Sequence, residues 1–574
     1  MKKKKDVITL TLIFVTTFSI VWLMIDFLAV ASSDAEMWQH TEGRGIVNFY
    51  VRSAESGSSS RNTHALAPYM ISWIEIEGIH HLMIPNSADI NYLPIYFIAS
   101  APVFVWGEDI ELFSGEYTDV FASGEPVFLT SDGLYYEVIA MQGSEIATLF
   151  IQTESGNLDY IHESRRNRET AQILMICANG ETILYDGTTA RLNGRGNSTW
   201  IGQPKRPYNI RLTNATDLLS EEGDARHHHW ALLADRFDNT RLRNTISHYL
   251  AQEVGLEATV RFRPVDVYIN NQYMGLYLLT ERIRIDTILP ITDLEAITET
   301  VNQRPLSEFE HVGNMAFEPG ARRYFDILRD PPDITGGYLL EWQLEARFDS
   351  QPSGFVTERA QAIVLRAPIH ASRAQIDYIS TFIQEMEDAV YSPTGYNSLG
   401  RHFTEYIDIR SFAKMYVFQE FIMNIDAAAS SFFIYKESDL ISDGLLRAAP
   451  PWDFDLTLGI RFTRDGIDLT DPELFYVNQG RISWNPDYTP HILAALWQHD
   501  IFRELSIEIW HNYFVPVLQE NFVESIREHD ALIRDSTRME WTRWEISSYR
   551  DGSVIRVLNF IESRINFLNE KWSN

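Results

Sequence analysis

The sequence predicts a chain of mixed structure, of class α+β, that is divided into several domains. Its 574 residues are too many for one hydrophobic core. Short apolar runs separated by turn residues come first, hairpins with one helix follow, and amphipathic helices dominate beyond about residue 370. Hydrophobic residues make up 45% and charged residues 22%, which is the composition of a folded protein.

The N-terminus predicts export. Four lysines precede an apolar stretch at residues 7–25, which is long enough to cross roughly 30 Å of hydrocarbon as a helix. Ala29, Val30 and Ala31 also fit the small-residue pattern of a signal peptidase site. Residues 1–31 are therefore either a cleaved signal peptide or a membrane anchor, with attachment through residues 7–30. Both interpretations send the rest of the chain out of the cell.

Residues 32–165 predict an accessory β-rich domain. Its apolar runs are short and separated by Gly, Pro, Asn and Asp, and it shows no constellation of reactive groups. A polar, arginine-rich run at residues 163–170 predicts the boundary to the next domain.

Residues 166–345 predict a second β-rich region that contains one helix. Asn179 and Gly180 form a hairpin signal, and a second hairpin joins residues 265–269 to residues 275–279. An amphipathic helix is predicted over residues 242–254, and residues 293–332 have the composition of an insertion or a long loop. The segment at residues 336–342 predicts a buried strand.

Residues 346–574 predict a mostly helical region. Apolar side chains recur at helical spacing at residues 376–390, 412–422, 501–514 and 557–567. Cys177 is the only cysteine, so the chain has neither an intramolecular disulfide nor a CxxC-type metal cluster.

The charge of the chain excludes one class of partner and favours another. With 79 acidic and 48 basic residues, the net charge is −31. Nucleic acids are excluded as partners because binding to a phosphate backbone requires clustered cations. Basic substrates and metal ions are the partners that this charge favours.

A glycine-bearing loop at residues 191–200 is the first candidate for chemistry. Gly194 and Gly196 flank Arg195 and let backbone N–H groups turn toward one point, which is how an anion-binding nest forms. Asn197 and Ser198 follow, and Lys205 adds a second cation. A hairpin with solvated cations is the structural alternative.

Two acidic elements further along the chain are the other candidates. Asp453 and Asp455 alternate with Phe454, so an extended backbone puts both carboxylates on one face, where they suit Mg²⁺ or Mn²⁺. Asp426 follows the helix pattern that ends near residue 422 and precedes an apolar strand, which places it where a substrate can reach it. A purely structural role at the end of the helix is the alternative for Asp426.

Along the chain, these three stretches follow the order in which a protein kinase carries its phosphate-binding loop, its catalytic aspartate and its metal-binding aspartate. The H-R-D and D-F-G motifs of typical kinases are absent from the sequence. Residues 195–200 (RGNSTW) and 204–208 (PKRPY) resemble the RGNSTW…PKKPY signature of the spore coat protein H (CotH) kinase family. Further matching motifs lie at residues 230–233, 238–244, 268–281, 336–341 and 451–455. The resemblance covers about residues 170–470.

The resemblance implies an atypical protein-kinase-like fold of two lobes. The β-rich N-lobe spans residues 166–345, and the mainly helical C-lobe spans residues 346–574. It also implies a secreted, cell-surface or spore-coat enzyme that transfers the γ-phosphoryl group of ATP to Ser or Thr of surface or coat proteins, with Mg²⁺ or Mn²⁺. The negative charge of the chain favours basic, Ser-rich protein substrates.

The resemblance also assigns roles to individual residues. Asp426 is implied as the catalytic aspartate, and Asp453, with Asp455 as the second choice, as the metal ligand. The implied nucleotide-binding residues are the loop residues Arg195, Asn197 and Ser198, the rival cations Lys205 and Arg211, and Glu281 at the hinge between the lobes.

Two positions depart from the kinase pattern. Ser431 stands where kinases place an asparagine that binds the second metal, and Arg211 stands where a lysine is expected. They motivate an alternative function, a catalytically weak or inactive nucleotide-binding scaffold of the cell surface or coat. A carbohydrate-binding wall protein, acting through the accessory domain, is a third interpretation.

Overall fold

The computed structural model describes residues 44–573, except for residues 53–69, 181, 221–222, 224, 286, 290, 314–316, 428–429, 462, 465–466, 478–490 and 547–552. The predicted signal peptide or anchor at residues 1–31 lies outside the described residues. Among the helices that are described, none has the length and apolar character that crossing a bilayer requires.

The N-terminal part is β-rich, as predicted, and forms two sheets. Its strands are β1 (Ile46–Arg52), β2 (Met70–Ser72), β3 (Ile74–Ile76), β4 (Ile79–Ile84), β5 (Leu93–Ala99), β6 (Val103–Val105), β7 (Ile110–Leu112), β8 (Tyr117–Thr118), β9 (Val127–Ser131) and β10 (Leu134–Gln142). One sheet has the order β2-β1-β5-β8 and the other the order β3-β4-β10-β9-β6-β7.

A closed barrel of seven strands follows. Its strands are β11 (Ala147–Thr153), β12 (Ala171–Ile176), β13 (Ile183–Gly194), β14 (Tyr208–Thr216), β15 (His227–Leu233), β16 (Phe262–Ile269) and β17 (Gln272–Glu281), in the order β11-β12-β13-β14-β15-β17-β16. Both predicted hairpins are confirmed, since β12 pairs with β13 and β16 with β17 in antiparallel register. Asn270 and Asn271 make the second turn with positive φ angles of 50° and 71°.

The barrel begins before the predicted domain boundary at residue 165. β11 pairs with both β12 and β16, and the short helix α1 (Asp159–Glu163) lies between β11 and β12. The polar run at residues 163–170 is thus a connection within the barrel. The predicted helix after β15 is confirmed as α2 (Arg243–Glu253), whose apolar face, including Ile246 and Leu250, is buried.

A second sheet of seven strands packs next to the barrel. It consists of β18 (His311–Gly313), β19 (Arg322–Phe325), β20 (Tyr338–Gln343), β21 (Gly354–Val356), β22 (Ala362–Ala367), β23 (Phe432–Lys436) and β24 (Leu446–Arg447), in the order β18-β19-β21-β22-β20-β23-β24. The predicted lobe boundary at residues 345–346 falls between strands of this one sheet.

The prediction of an insertion or long loop at residues 293–332 is wrong for much of that segment. The helix α3 (Leu294–Asn302) begins there because Asp293 caps it, accepting a hydrogen bond from the backbone N of Ala296 at 2.9 Å. β18 and β19 also lie in this segment. They are only three and four residues long, so no local periodicity marks them. β18 pairs with β19, and β19 also pairs with β21, which follows β20 in the chain.

The C-terminal region is rich in helices, as predicted. They are α4 (Glu345–Phe348), α5 (Arg373–Val390), α6 (Ile409–Ile422), α7 (Ile492–Leu496), α8 (Asp500–Ile509), α9 (Val515–Glu520), α10 (Phe522–Arg543) and α11 (Val554–Lys571). A π-helical turn (Trp510–Phe514) joins α8 to α9, 3₁₀ turns lie at Leu306–Glu308 and Phe403–Glu405, and β25 (Thr463–Arg464) pairs with β26 (Ile467–Asp468). One large apolar core joins these helices to α2 and the second sheet.

Candidate active site

A cavity of about 900 Å³ is lined by residues of the barrel, the second sheet and the loops around them. Most of the residues that the sequence predicts for the site line it together: Arg195, Asn197, Ser198, Asp426, Ser431, Asp453 and Asp455. These residues come from three distant parts of the chain, so the fold itself assembles the site.

The glycine-bearing loop begins where β13 ends. The backbone N of Arg195 donates to the carbonyl of Pro207 at 3.1 Å, which closes the loop. Gly194 must be glycine because a Cβ there would lie 2.1 Å from the ring of Trp200. Gly196 has a φ angle of +80°, and a Cβ there would lie 2.3 Å from Oγ1 of Thr199. The two glycines thus allow the tight turn that presents Arg195 to the cavity.

Arg195 lies between an aromatic ring and a group of acids. Its guanidinium carbon is 5.5 Å from the ring centroid of Trp452. Burial lowers the pKa of Arg195, and the negative charges of Asp453, Asp455 and Asp235 act in the opposite direction. The negative charges of these three carboxylates therefore stabilise the positive charge of Arg195 in the cavity.

The segment around Asp453 turns two carboxylates toward the cavity and an aromatic ring away from it. Asp453 has a φ angle of +72°, and its Oδ2 accepts a hydrogen bond from Oγ of Ser431 at 2.8 Å. Phe454 is fully buried in the helical core. Because Phe454 is anchored on the far side, Asp453 and Asp455 both line the cavity. The extended backbone that the sequence predicts for this segment is wrong at Asp453, whose φ angle is positive.

Asp455 is buried among other carboxylates. The residue is 7% exposed, and within the described part of the chain no hydrogen-bond donor contacts its carboxylate. Burial, followed by the charges of Asp453, Asp235, Asp426 and Asp238, raises the pKa of Asp455 well above its ordinary value. A buried carboxyl that is surrounded by other oxygen ligands suits a hard divalent cation.

The donor chemistry therefore fits Mg²⁺ or Mn²⁺. Asp453, Asp455 and the hydroxyl of Ser431 are the side chains that could hold such an ion. In the described part of the chain, however, no three His, Cys, Asp or Glu side chains are grouped closely enough to form a preformed metal site.

Asn424 connects the Asp426 loop to Asp453. α6 ends where Met423 takes a positive φ angle of 48°. Oδ1 of Asn424 accepts from the backbone N of Asp426 at 3.0 Å, and Nδ2 of Asn424 donates to the carbonyl of Asp453 at 3.3 Å. One amide side chain therefore fixes the two acidic elements relative to each other.

Asp235 is a further acid of the cavity, which the sequence analysis missed. It follows β15, has a φ angle of +48° and accepts a hydrogen bond from Nδ2 of Asn244. Oδ1 of Asn244 in turn accepts from the backbone N of Phe454 at 2.9 Å. Burial and the nearby Asp238 raise the pKa of Asp235 to about 7, although the hydrogen bond from Asn244 opposes this. An aspartate directly after the buried stretch at residues 230–234 is the signal that could have revealed it.

Arg243 matches a family motif, and the structure shows what it contacts. It pairs with Asp238 at the start of α2, and its Nε donates to the carbonyl of Thr457 at 2.8 Å. Arg243 thereby joins α2 to the segment that carries Asp455.

Three predicted nucleotide-binding residues do not line the cavity. The ammonium of Lys205 is fully buried and donates to the carbonyls of Ala234 and Leu276 and to Glu540, so its three hydrogens have partners. Arg211 is exposed on β14. Glu281 binds Arg261 through its side chain, and its backbone N donates to the carbonyl of Arg261 at 3.1 Å. The next residues, Arg282 and Ile283, do line the cavity.

Comparison with known proteins gives one family assignment. The family described as CotH kinase protein matches residues 192–568, which is more than half of the chain. No curated protein matches. Among solved structures, a proposed glycoside hydrolase from Bacteroides thetaiotaomicron shares 11% sequence identity and aligns over 55% of this chain and 74% of its own, with a TM-score of 0.12. The family match, together with the site residues that meet in one cavity, shows that the chain belongs to the CotH kinase family.

Proposed function

We propose that this chain is an exported atypical protein kinase that transfers the γ-phosphoryl group of ATP to Ser or Thr of surface or spore-coat proteins. The observation that carries the proposal is that the Arg195 loop, Asp426 and the Asp453–Asp455 pair line one cavity. Family membership supports a kinase-type protein, and the apolar N-terminal stretch at residues 7–25 supports export. The two-lobed kinase-like arrangement belongs to the same proposal, with the barrel as the N-lobe.

The cavity has walls of two kinds, which suits a nucleotide. Ala231, Leu233, Ile283, Ala367 and Phe433 give it an apolar part that can receive the base. The Arg195 loop gives it a polar part, where the guanidinium and backbone N–H groups can bind phosphate oxygens.

Asp453 and Asp455 would hold the metal, with Ser431 as a weaker ligand. Mg²⁺ or Mn²⁺ bound at these oxygens would neutralise part of the negative charge of the phosphate groups. A cation next to Asp455 also favours its ionised form over the protonated form that burial favours.

Asp426 is the residue that we assign to the acceptor hydroxyl. The hydroxyl oxygen bonds to the γ-phosphorus, the bond from the γ-phosphorus to the bridging oxygen breaks, and ADP leaves. Asp426 receives the hydroxyl proton and orients the attacking oxygen. Arg195, close to the acids of the site, stabilises the negative charge on the transferred group.

Phosphoryl transfer by the full-length chain tests this proposal. The chain is incubated with labelled ATP, Mn²⁺ or Mg²⁺ and Ser-containing peptides. We expect transfer, and we expect Asp453→Asn to lower the rate at least 100-fold because it removes a metal-binding carboxylate. Asp535→Asn is the matched control, since Asp535 is exposed on α10 and does not line the cavity. Transfer at an unchanged rate in Asp453→Asn would contradict the proposal.

A specific observation favours a second function, that of a nucleotide-binding scaffold with little or no turnover. Ser431 donates its hydroxyl to Asp453 at 2.8 Å, where kinases use an asparagine side chain as a ligand of the second metal. The same experiment separates the two functions. A rise in melting temperature with ATP and metal but without transfer supports the scaffold, and no rise at all excludes both.

A further inference from the structure

The cavity carries a group of arginines that the proposed transfer step does not use. Arg165 and Arg166 follow α1, Arg347 lies on α4, and all three line the cavity. We call these three residues the arginine cluster. Acidic residues outnumber basic ones by 79 to 48 in this chain. Three guanidinium groups at one cavity therefore form a local positive charge on a negatively charged protein.

Arg165 connects the arginine cluster to the glycine-bearing loop. Nη1 of Arg165 donates to Oδ1 of Asn197 at 2.6 Å and also to the carbonyl of Gly196. Arg165 and Arg166 are exposed, whereas Arg195 is half-buried. A polypeptide can therefore reach the cluster from solvent.

The cluster has more positive charge than its surroundings neutralise. Within the described residues, no carboxylate forms an ion pair with Arg166 or Arg347. Burial, and then the positive charges of Arg347 and Arg166, lower the pKa of Arg165. Like charges held this close repel each other unless an anion lies between them.

Two acids of the same cavity, Glu341 and Glu295, already have partners. Glu341 forms an ion pair with Arg366. Glu295 accepts from the imidazole of His370 and from the backbone N of Ile369, both at 2.6 Å. Because their partners hold them in place, these acids leave the arginine cluster available to a ligand.

We propose that the arginine cluster binds a carboxylate or phosphate group of the acceptor polypeptide, so that the preferred serines are flanked by acidic or already phosphorylated residues. This inference rests on the proposed function, because the acceptor serine must enter the same cavity. Guanidinium groups bind both anions through paired charge-assisted hydrogen bonds. The net charge of the chain instead predicts a basic acceptor. The arginine cluster thus predicts that anionic peptides bind best, whereas the net charge predicts that lysine-rich peptides do.

Peptide binding to the full-length chain tests the inference. Three fluorescent peptides share one central serine and differ in its flanks, which are glutamates, phosphoserines or lysines. Anisotropy is measured with a non-hydrolysable ATP analogue and Mg²⁺. We expect the two anionic peptides to bind at least about tenfold more tightly than the lysine peptide. Tighter binding of the lysine peptide overturns the inference, and the ratio between the two anionic peptides tells which anion the cluster prefers.

Variants connect the preference to the cluster. Arg166→Gln combined with Arg347→Gln should weaken binding of the anionic peptides about tenfold, whereas Arg527→Gln, at an exposed position of α10, should not. If the double variant instead loses the rise in melting temperature with ATP and keeps its peptide affinity, the cluster belongs to the nucleotide and the inference is wrong. Binding is read without turnover, so a chain that binds anionic peptides but transfers nothing refutes the proposed function alone.

Discussion

At the scale of single residues, Arg195 is the side chain that brings the separated parts of the site together. It comes from the barrel, its guanidinium lies 5.5 Å from the ring centroid of Trp452, and the carboxylates of Asp453 and Asp455 act on its charge. A planar guanidinium can stack on an aromatic ring and bind two phosphate oxygens through parallel N–H donors, whereas an ammonium is a compact point charge without this planar fork. The charge alone is therefore not sufficient for the role that we assign to Arg195.

Replacement of Arg195 by lysine tests this argument. We expect Arg195→Lys to weaken ATP binding about tenfold, or roughly 1.4 kcal/mol, because the positive charge is retained but the fork and the stacking on Trp452 are lost. The affinity is obtained by calorimetric titration with ATP and Mg²⁺. Arg527→Lys is the control. Equal affinities of the wild type and Arg195→Lys would show that Arg195 acts only as a point charge.

Asp235 shows how much of the site a sequence can reveal at this scale. Asp453 and Asp455 are recognisable because apolar residues surround two acids at a spacing of two. Asp235 stands alone after a buried strand, and what identifies it is its contact with Asn244, which also binds the backbone between Asp453 and Asp455. The position of Asp235 after the strand is a local signal, but its contact with Asn244 depends on the tertiary fold and has no local signature.

At the scale of elements, helix α10 does more than cover the barrel. Glu540 is fully buried and accepts from Nζ of Lys205 at 2.7 Å, from Nε of Arg241 at 2.6 Å and from the backbone N of Leu276 at 2.8 Å. Lys205 also donates to the carbonyl of Ala234, the residue before Asp235. Through Lys205, the helix therefore fixes the backbone at Ala234 and Asp235, which line the cavity.

Loss of the Glu540 charge should destabilise the fold. Glu540→Gln leaves two buried cations with reduced compensation, so we expect the free energy of unfolding to fall by about 3–5 kcal/mol. Chemical denaturation measures the change. Glu524→Gln, at an exposed position of the same helix, should change it by less than about 0.5 kcal/mol. A similar small effect at both positions would mean that the buried network contributes little to stability.

The same network shows why the sequence does not reveal which groups Lys205 contacts. Its place in the PKRPY motif suggests a cation for phosphate, but its partner Glu540 is 335 positions away in sequence. The hairpins β12–β13 and β16–β17 were predictable, because their turn residues and alternating strands are local signals. The direction of a long side chain depends on what the rest of the chain places next to it.

At the scale of the whole molecule, three parts meet at Asp266 on β16. Oγ of Ser536, on α10, donates to Oδ2 of Asp266 at 2.6 Å, and the hydroxyl of Tyr273, on β17, donates to Oδ1 at 2.8 Å. The backbone N of Ser144, between β10 and β11, donates to Oγ of Ser536 at 2.8 Å. Asp266 thus joins helix α10 to the barrel and, through Ser536, to the end of the accessory sheets.

The titration of Asp266 predicts how stability depends on pH. Burial raises the pKa of Asp266 to about 7, although the hydrogen bonds from Ser536 and Tyr273 oppose this. In the unfolded chain the group titrates near its ordinary pKa of 3.8. The folded state therefore holds a proton that unfolding releases at pH values between these two pKa values. This proton contributes about 4 kcal/mol at most to the free energy of unfolding. The contribution is complete below pH 4 and is lost as the pH rises through 7.

Comparison with Asp266→Asn isolates this contribution from those of Asp235 and Glu387, whose pKa values burial also raises to about 7. Asparagine is uncharged at every pH and keeps one oxygen acceptor, so the variant loses only the part of the pH dependence that belongs to Asp266. We expect the advantage of the wild type over the variant, measured as the free energy of unfolding, to be larger at pH 5 than at pH 8. Asp535→Asn, at an exposed position, should differ from the wild type by the same small amount at both pH values. If the difference between the wild type and Asp266→Asn stays constant from pH 5 to pH 8, Asp266 is already ionised in the folded protein, and the junction of the three parts is held by an anion.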